Sequence, residues 1–256
     1  MWNQFVVDPM LNVLLAIYNL LGGNFGLAII LFTILIRLII YPLSRQQIQS
    51  AEAMQKLQQD PRWKKIQEKY KNNREKLAQE QMRLYQELGV NPFASCLPSI
   101  IQIPIIFGLY QAIIKALAST PTQMLDLTRH IYPMFDIASL IPLNSHFLWM
   151  DLGQPERLFI PGLNFGIPVL AILVGITTYL QSKMMPTTST GGGQGEMMGQ
   201  MMTIYMPLLL FYFTMAYAAG LGLYFFTSNL VTIAQYALMG KLDWQSLFGG
   251  KAKASR

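Results

Sequence analysis

The sequence predicts an all-α, polytopic membrane protein with five transmembrane helices, a cytoplasmic helical hairpin and a hydrophilic intramembrane groove. Three observations carry this reading. Hydrophobic residues make up 52% of the 256 positions and charged residues only 12%, against roughly 25% charged in soluble domains. Five apolar stretches have the length for helices crossing the hydrocarbon core, which takes ~20 residues. Lysines and arginines gather in the segments that would share one side of such a bundle. The net charge of +6 then reflects orientation in a membrane, and no nucleic-acid specificity is expected. The single cysteine, Cys96, excludes an internal disulfide. No Cys/His cluster has metal-ligand spacing, and neither a phosphate-binding glycine loop nor a nucleophile motif occurs. The expectation is therefore no metal, no cofactor and no enzymatic activity. An inverted repeat of the transporter kind is also missing.

Residues 1–23 read as an amphipathic helix in the outer interface. Asp8 would be its cap and Pro9 its first position, and Met10–Leu21 is too short to span. Span 1 covers residues 24–43 and includes LAIILFTILIRLIIYPL. Arg37 lies about five residues before Pro42, so it sits roughly 7–8 Å inside the end of the span. Thr33, Arg37, Tyr41 and Ser44 follow helical spacing and share one face of an otherwise apolar helix. An arginine cannot realistically lose its proton there, so a polar stripe around it points to a wet cavity within the membrane.

Residues 44–90 change character, with ten basic and six acidic residues between Ser44 and Leu88. Asp60-Pro61 divides this segment into two helices, and Gly89 with Pro92 ends the second. Pairs at i, i+4 (Lys64/Glu68, Lys71/Glu75, Lys76/Glu80, Arg83/Glu87) support an exposed helical hairpin. Its narrow apolar stripe is Ile66, Tyr70, Leu77, Leu84 and Leu88.

Span 2 covers residues 91–117, broken by Pro98 and Pro104. Ser95, Ser99 and Gln102 lie along one face and Gln111 on the opposite side. Residues 118–160 form an external connection with aromatic residues suited to an interface, such as Tyr132 and Trp149. Span 3 covers 161–182, with Thr177, Thr178 and Gln181 near its end. Residues 183–200 form a cytoplasmic loop rich in Gly, Thr and Met, a composition suited to flexible apolar contact. Span 4 covers 201–219. A tight Gly220-Leu221-Gly222 turn leads to span 5, residues 222–240, where Ser228, Thr232 and Gln235 repeat at i, i+4, i+7 beside Asn229. Residues 241–256 form a basic tail. Placing hairpin, Met-rich loop and tail together collects 15 of the 19 Lys/Arg. The amino terminus is thus expected outside and the carboxyl terminus in the cytoplasm.

Three stretches, GLAIILFTILIRLIIYPLSRQQ, NPFASCLPSIIQIPIIFGLYQAI and LYFFTSNLVTIAQYALM, occur in this order with the charged hairpin between the first two. In these words and in the five-span pattern, the chain resembles the YidC-type membrane protein insertase family, with its mitochondrial Oxa and chloroplast Albino relatives. The likeness covers residues 24 to 241. It implies a bacterial plasma-membrane insertase and chaperone, with Arg37 in a groove open to the cytoplasm and to lipid but closed towards the outside. It also implies nascent membrane proteins with short translocated tails as clients, in contact with the lipid bilayer. The hairpin and tail would be the places for the ribosome, the signal recognition particle receptor and the Sec translocon. The large periplasmic domain of many Gram-negative members is not expected here, and the tail reads as shorter than the basic tails that aid ribosome binding in some members, so strong autonomous ribosome binding is not expected. Facing and residue type add Thr33, Gln102, Thr178, Gln181, Ser228, Asn229, Thr232 and Gln235 to Arg37 as a client-binding groove. Two other classes stay open at this point: a small-solute transporter or channel with Arg37 binding an anion, and an accessory structural subunit of a larger translocase.

Overall fold

The computed structural model describes residues 1–89, 97–118, 120–133, 143–159, 166–184 and 201–240. The chain starts as a helix well before Asp8: a π-helical turn, Asn3–Val7, runs straight into α1, Asp8–Leu20. Val7, ahead of Asp8, is itself helical and no side chain caps α1, so Asp8-Pro9 lies within a continuous helix instead of starting one. Proline explains the π turn. The Pro9 ring would collide with the carbonyl four residues back and has no N–H to offer, and a widened turn accommodates both. The same device recurs at π turn Met201–Tyr205, directly before Pro207. The apolar face of α1 is satisfied by the bundle, with Leu11, Leu14 and Leu15 fully buried in the main core.

Asn24 caps α2, Phe25–Ile39, its side chain accepting the Leu27 N–H at 3.0 Å. At Ile40 the chain bends by 60° into α3, Tyr41–Gln59. Pro42, in the first turn of α3, cannot extend the α2 ladder, so the expected four-residue polar stripe ends at Arg37. Tyr41 and Ser44 ride on a differently directed helix. Among the described residues, no single helix is long and apolar enough to cross a membrane alone. Phe25–Ile39 with Tyr41–Ser50 passes as a bent pair, and Gln102–Ala116, Val169–Lys183 and Thr203–Ala216 are shorter apolar helices. What stands is a mostly helical bundle.

The charged segment contains three helices, not two: the end of α3, α4 (Pro61–Lys69) and α5 (Arg74–Glu87). The break at Asp60-Pro61 is there, and Asp60 caps α4 by accepting the Arg62 N–H at 2.8 Å. Hydrogen bonds from the Arg62 guanidinium hold the Asp60 carboxyl below the usual carboxylate range. The missed break is at Asn73, which caps α5 by accepting the Lys76 N–H at 3.1 Å. It separates Lys71 from Glu75. Arg83–Glu87 closes at 3.3 Å, and Gly89 ends α5 in the left-handed region at φ 64°. Leu57, Trp63, Leu84 and Tyr85, with Ile66 against them, form a small core of their own. The Trp63 and Tyr85 ring centroids are 5.4 Å apart, and burial pushes the Tyr85 hydroxyl pKa up.

Helix α6, Leu97–Ala116, continues through Pro104, so this proline does not break it, and Pro98 falls in its first turn. The amino-terminal part of predicted span 2, with Ser95 and Cys96, lies outside the described residues. The external connection contains an unanticipated helix, α7, Pro121–His130, opened by a reciprocal Thr120/Gln123 capping box. A short antiparallel hairpin follows, β1 (His146–Phe147) with β2 (Met150–Asp151). Leu158 then pairs with Ile167 in an isolated antiparallel bridge, and α8 runs Val169–Met184, beginning later than the expected span start at 161. The Met-rich loop from 185 to 200 and the tail from 241 lie outside the described residues.

After α9, Met206–Ala216, the chain turns at Tyr217–Ala218 and enters α10, Ala219–Leu238. The expected Gly220-Leu221-Gly222 turn is instead the first turn of α10. Its glycines are there for close packing: a Cβ on Gly222 would lie 2.5 Å from Thr214 Cγ2 and 2.9 Å from Leu170 Cδ2. Without that contact α8, α9 and α10 could not approach at this end.

Candidate functional site

Thr33 and Arg37 stand one turn apart on α2. Thr33 is fully buried and its hydroxyl donates to the Ile29 carbonyl at 2.6 Å, so only acceptor capacity remains for a neighbour. Arg37 lies in the last turn of α2, where the helix dipole favours a cation. Its Nε donates to Ser228 Oγ at 2.9 Å and its Nη2 donates to the same oxygen. No carboxylate among the described residues forms an ion pair with Arg37. Among the described residues its guanidinium is thus held by a neutral hydroxyl oxygen and faces no carboxylate.

Helix α10 supplies most of the site. Ser228, Asn229, Thr232 and Gln235 are all buried, at 2–7% exposure. One turn before Ser228, the buried Tyr224 hydroxyl accepts a hydrogen bond from Gln102 Nε2 on α6. These polar residues also lower the apolarity of a 20-residue helix. Asn229 Nδ2 donates to Thr177 Oγ1 at 3.1 Å and Thr178 Oγ1 at 2.8 Å on α8. Gln235 Nε2 donates to the Arg37 carbonyl at 3.4 Å, one of the last-turn carbonyls that lose their helical partner where α2 ends. Thr232 Oγ1 donates to the Ser228 carbonyl at 2.8 Å.

Several predicted residues, joined by Tyr224 and Thr177, fall into two bonded sets that meet at neighbours 228 and 229. Arg37, Ser228, Tyr224 and Gln102 belong to one region; Asn229, Thr177 and Thr178 form the other. Thr33 and Thr232 spend their protons on their own helices. Gln181 is half-buried near the end of α8 and is not bonded to either set. Tyr224 was missed as a site residue because an aromatic in YFFTS reads as packing; the available signal was its i, i+4 relation to Ser228 and Thr232. Gln111, expected on the opposite face of α6, indeed turns away and accepts from Trp2 Nε1 at 3.0 Å. Chemically the arrangement offers hydrogen-bond donors and acceptors and one fixed positive charge.

A family model described as 60Kd inner membrane protein matches residues 16–245. The chain is 36% identical over 243 residues to the membrane protein insertase MisCA of Bacillus subtilis, covering 93% of this chain and 78% of that one. It is 35% identical over 257 residues to the membrane protein insertase YidC 2 of Bacillus anthracis, covering 98% and 86%. Among solved structures, an active YidC insertase with its first transmembrane domain resolved is similar at a TM-score of 0.50 and 28% identity. That likeness covers 84% of this chain and 41% of the solved one. A match over nearly the whole sequence, with relatives covered over most of their own length, means that the chain belongs to the 60Kd inner membrane protein family, that of the YidC membrane protein insertases.

Proposed function

We propose that the chain is a bacterial plasma-membrane insertase that moves short hydrophilic client segments through the Arg37 groove and releases their apolar helices into lipid. Family membership supports the insertase activity. The observation that carries the groove is Arg37 itself, a cation held by the Ser228 hydroxyl with no described acidic partner. A peptide entering hydrocarbon loses its hydrogen bonds to water, at several kcal/mol per unsatisfied group. Gln102, Ser228, Asn229, Thr178, Gln181 and Gln235 supply substitutes, and Thr33 and Thr232 supply acceptors. Arg37 attracts the carboxylates of a translocating tail, strongly where the dielectric is low. The client's apolar segment passes along the outside of the bundle. No step needs covalent chemistry.

In this reading the helices assemble into five spans, with α2 and the bent start of α3 forming the first. The small Trp63 core stands in the cytoplasm with the tail, and residues 118–160 lie outside. The open cleft between α4 and α5, lined by Arg62, Lys65, Ile66, Glu80, Arg83 and Leu84, is the docking face for ribosome, signal recognition particle receptor or Sec translocon. Two measurements test the proposal. Purified protein in liposomes inserts a one-span client with a short tail; solute flux without insertion would make it a transporter, and neither activity would make it an accessory subunit. In intact cells, cysteines placed between Thr120 and Glu156 react with an impermeant thiol reagent, whereas cysteines in the hairpin do not. Hairpin labelling from outside would reverse the orientation.

A further inference from the structure

Glu156 is a buried carboxylate in the external connection that the groove does not use. It is only 4% exposed, and both oxygens are committed. Oε1 accepts from Trp149 Nε1 at 2.8 Å, and Oε2 accepts the Leu170 N–H at 3.0 Å. Leu170 lies in the first turn of α8, where the helix leaves N–H groups without partners and its dipole favours an anion. The same short segment serves a second helix. The Gln154 carbonyl accepts the Ala219 N–H at 2.8 Å, and the Leu152 carbonyl accepts the Gly220 N–H at 3.0 Å, both in the first turn of α10. Beneath these bonds Met150, Leu170 and Ala219 pack as one buried cluster. A single loop therefore supplies the missing acceptors of two neighbouring helix ends over a shared apolar plug.

We propose that Glu156 is a positioning residue, the anchor of a clasp that locks the outer ends of α8 and α10 together and holds the groove's far wall in register. The functional part of this inference rests on the groove reading. Thr178 follows Leu170 by eight residues and Asn229 follows Gly220 by nine, so the Asn229–Thr178 bond lies roughly 12–14 Å along the helices from the clasp. Helices fixed at their outer ends keep these two side chains opposite each other. Released, they can slide or splay, and the polar set loses its closed outer end. A glutamate is required because it offers two acceptors to two N–H donors. An amide of the same shape would offer one acceptor and set its own NH₂ against a donor.

Hydrogen–deuterium exchange of the full chain in lipid nanodiscs, with no client present, tests the clasp independently of the groove. In Glu156→Gln, amides at the start of α8 and the start of α10 should both exchange faster, roughly tenfold, as expected for loss of a buried charge-assisted hydrogen bond. The change should extend to the segments holding Thr178 and Asn229, while α1 and the α4–α5 pair keep wild-type rates. Trp149→Phe, which removes one donor and leaves Leu170 bonded, should move the same segments by less. Client insertion per folded molecule should fall in the same order. Faster exchange confined to the Leu170 segment, or no change, would overturn the clasp. If Glu156→Gln loosens α1 as well, Trp149→Phe decides by the same criterion. Wild-type insertion alongside coupled exchange would keep the mechanical clasp and overturn its role in the groove.

Discussion

Arg37→Ala should lose insertion of a client with an acidic translocated tail by about tenfold or more, at equal levels of folded protein. A pair of unit charges at about 4 Å is worth roughly 4 kcal/mol at an effective dielectric near 20, and a third of that is already about a tenfold change in rate. Arg37→Lys should insert largely as wild type. Lysine keeps the point charge but loses the planar fork, so good rescue identifies long-range attraction and not bidentate pairing. The defect should grow with the number of Asp and Glu residues in the translocated tail. Clients with neutral tails should insert with much smaller loss. Removing the guanidinium also frees the Ser228 hydroxyl that it holds, so a wetter groove still lowers the desolvation barrier for them. Normal insertion of the acidic client by Arg37→Ala would sink the charge mechanism and leave the polar groove standing.

Deleting Ala51 to Leu84 should abolish insertion while the membrane bundle stays folded. The reason is the separation of the cores: Leu57, Trp63, Leu84 and Tyr85 pack with each other, whereas α1, α2, α6, α8 and α10 share another cluster. Removing the small core leaves the large one intact. A milder variant makes the same point. Trp63 is 1% exposed, and truncating a buried aromatic costs about 3–5 kcal/mol, a large share of what so small a core can supply. Trp63→Ala should therefore unfold α4 and α5 locally, visible as rapid proteolysis between Arg62 and Arg83, and insertion should fall with it. A flexible linker replacing Ala51–Leu84 that restores full insertion would reduce the hairpin to a connector.

Much of the helical plan was legible because its signals are local. Asn24 and Asp60 cap helices α2 and α4 through their own side chains, and Gly89 ends α5 through its own backbone. Ser228, Thr232 and Gln235 share a face by helical period alone. The errors came from residues with more than one use. Gly220 and Gly222 have the composition of a turn, but they sit in a helix because Ile29, Leu152 and Ile113 crowd the first and Thr214 and Leu170 the second. Pro9 and Pro104 have the composition of a start and a break. Each lies within a helix, Pro9 after a π turn and Pro104 with its neighbours still helical. Tyr224 reads as core until Gln102, 122 positions earlier in the chain, donates to it.

By itself the sequence determined that this protein is helical and membrane-borne, where its charge collects, and that an arginine sits in an apolar helix with polar residues on related faces. These follow from composition and periodicity, which depend on a residue and its near neighbours. Only the tertiary structure decided what meets Arg37: Ser228, 191 positions away, with Gln235 on the carbonyl that the bend at Ile40 leaves open. It also decided that one external loop holds the ends of two helices, through Glu156, Gln154 and Leu152. The physical reason is the same in each case. A buried donor or acceptor must find a partner somewhere in the folded chain, and helical period sets which way it points but not which helix arrives opposite it.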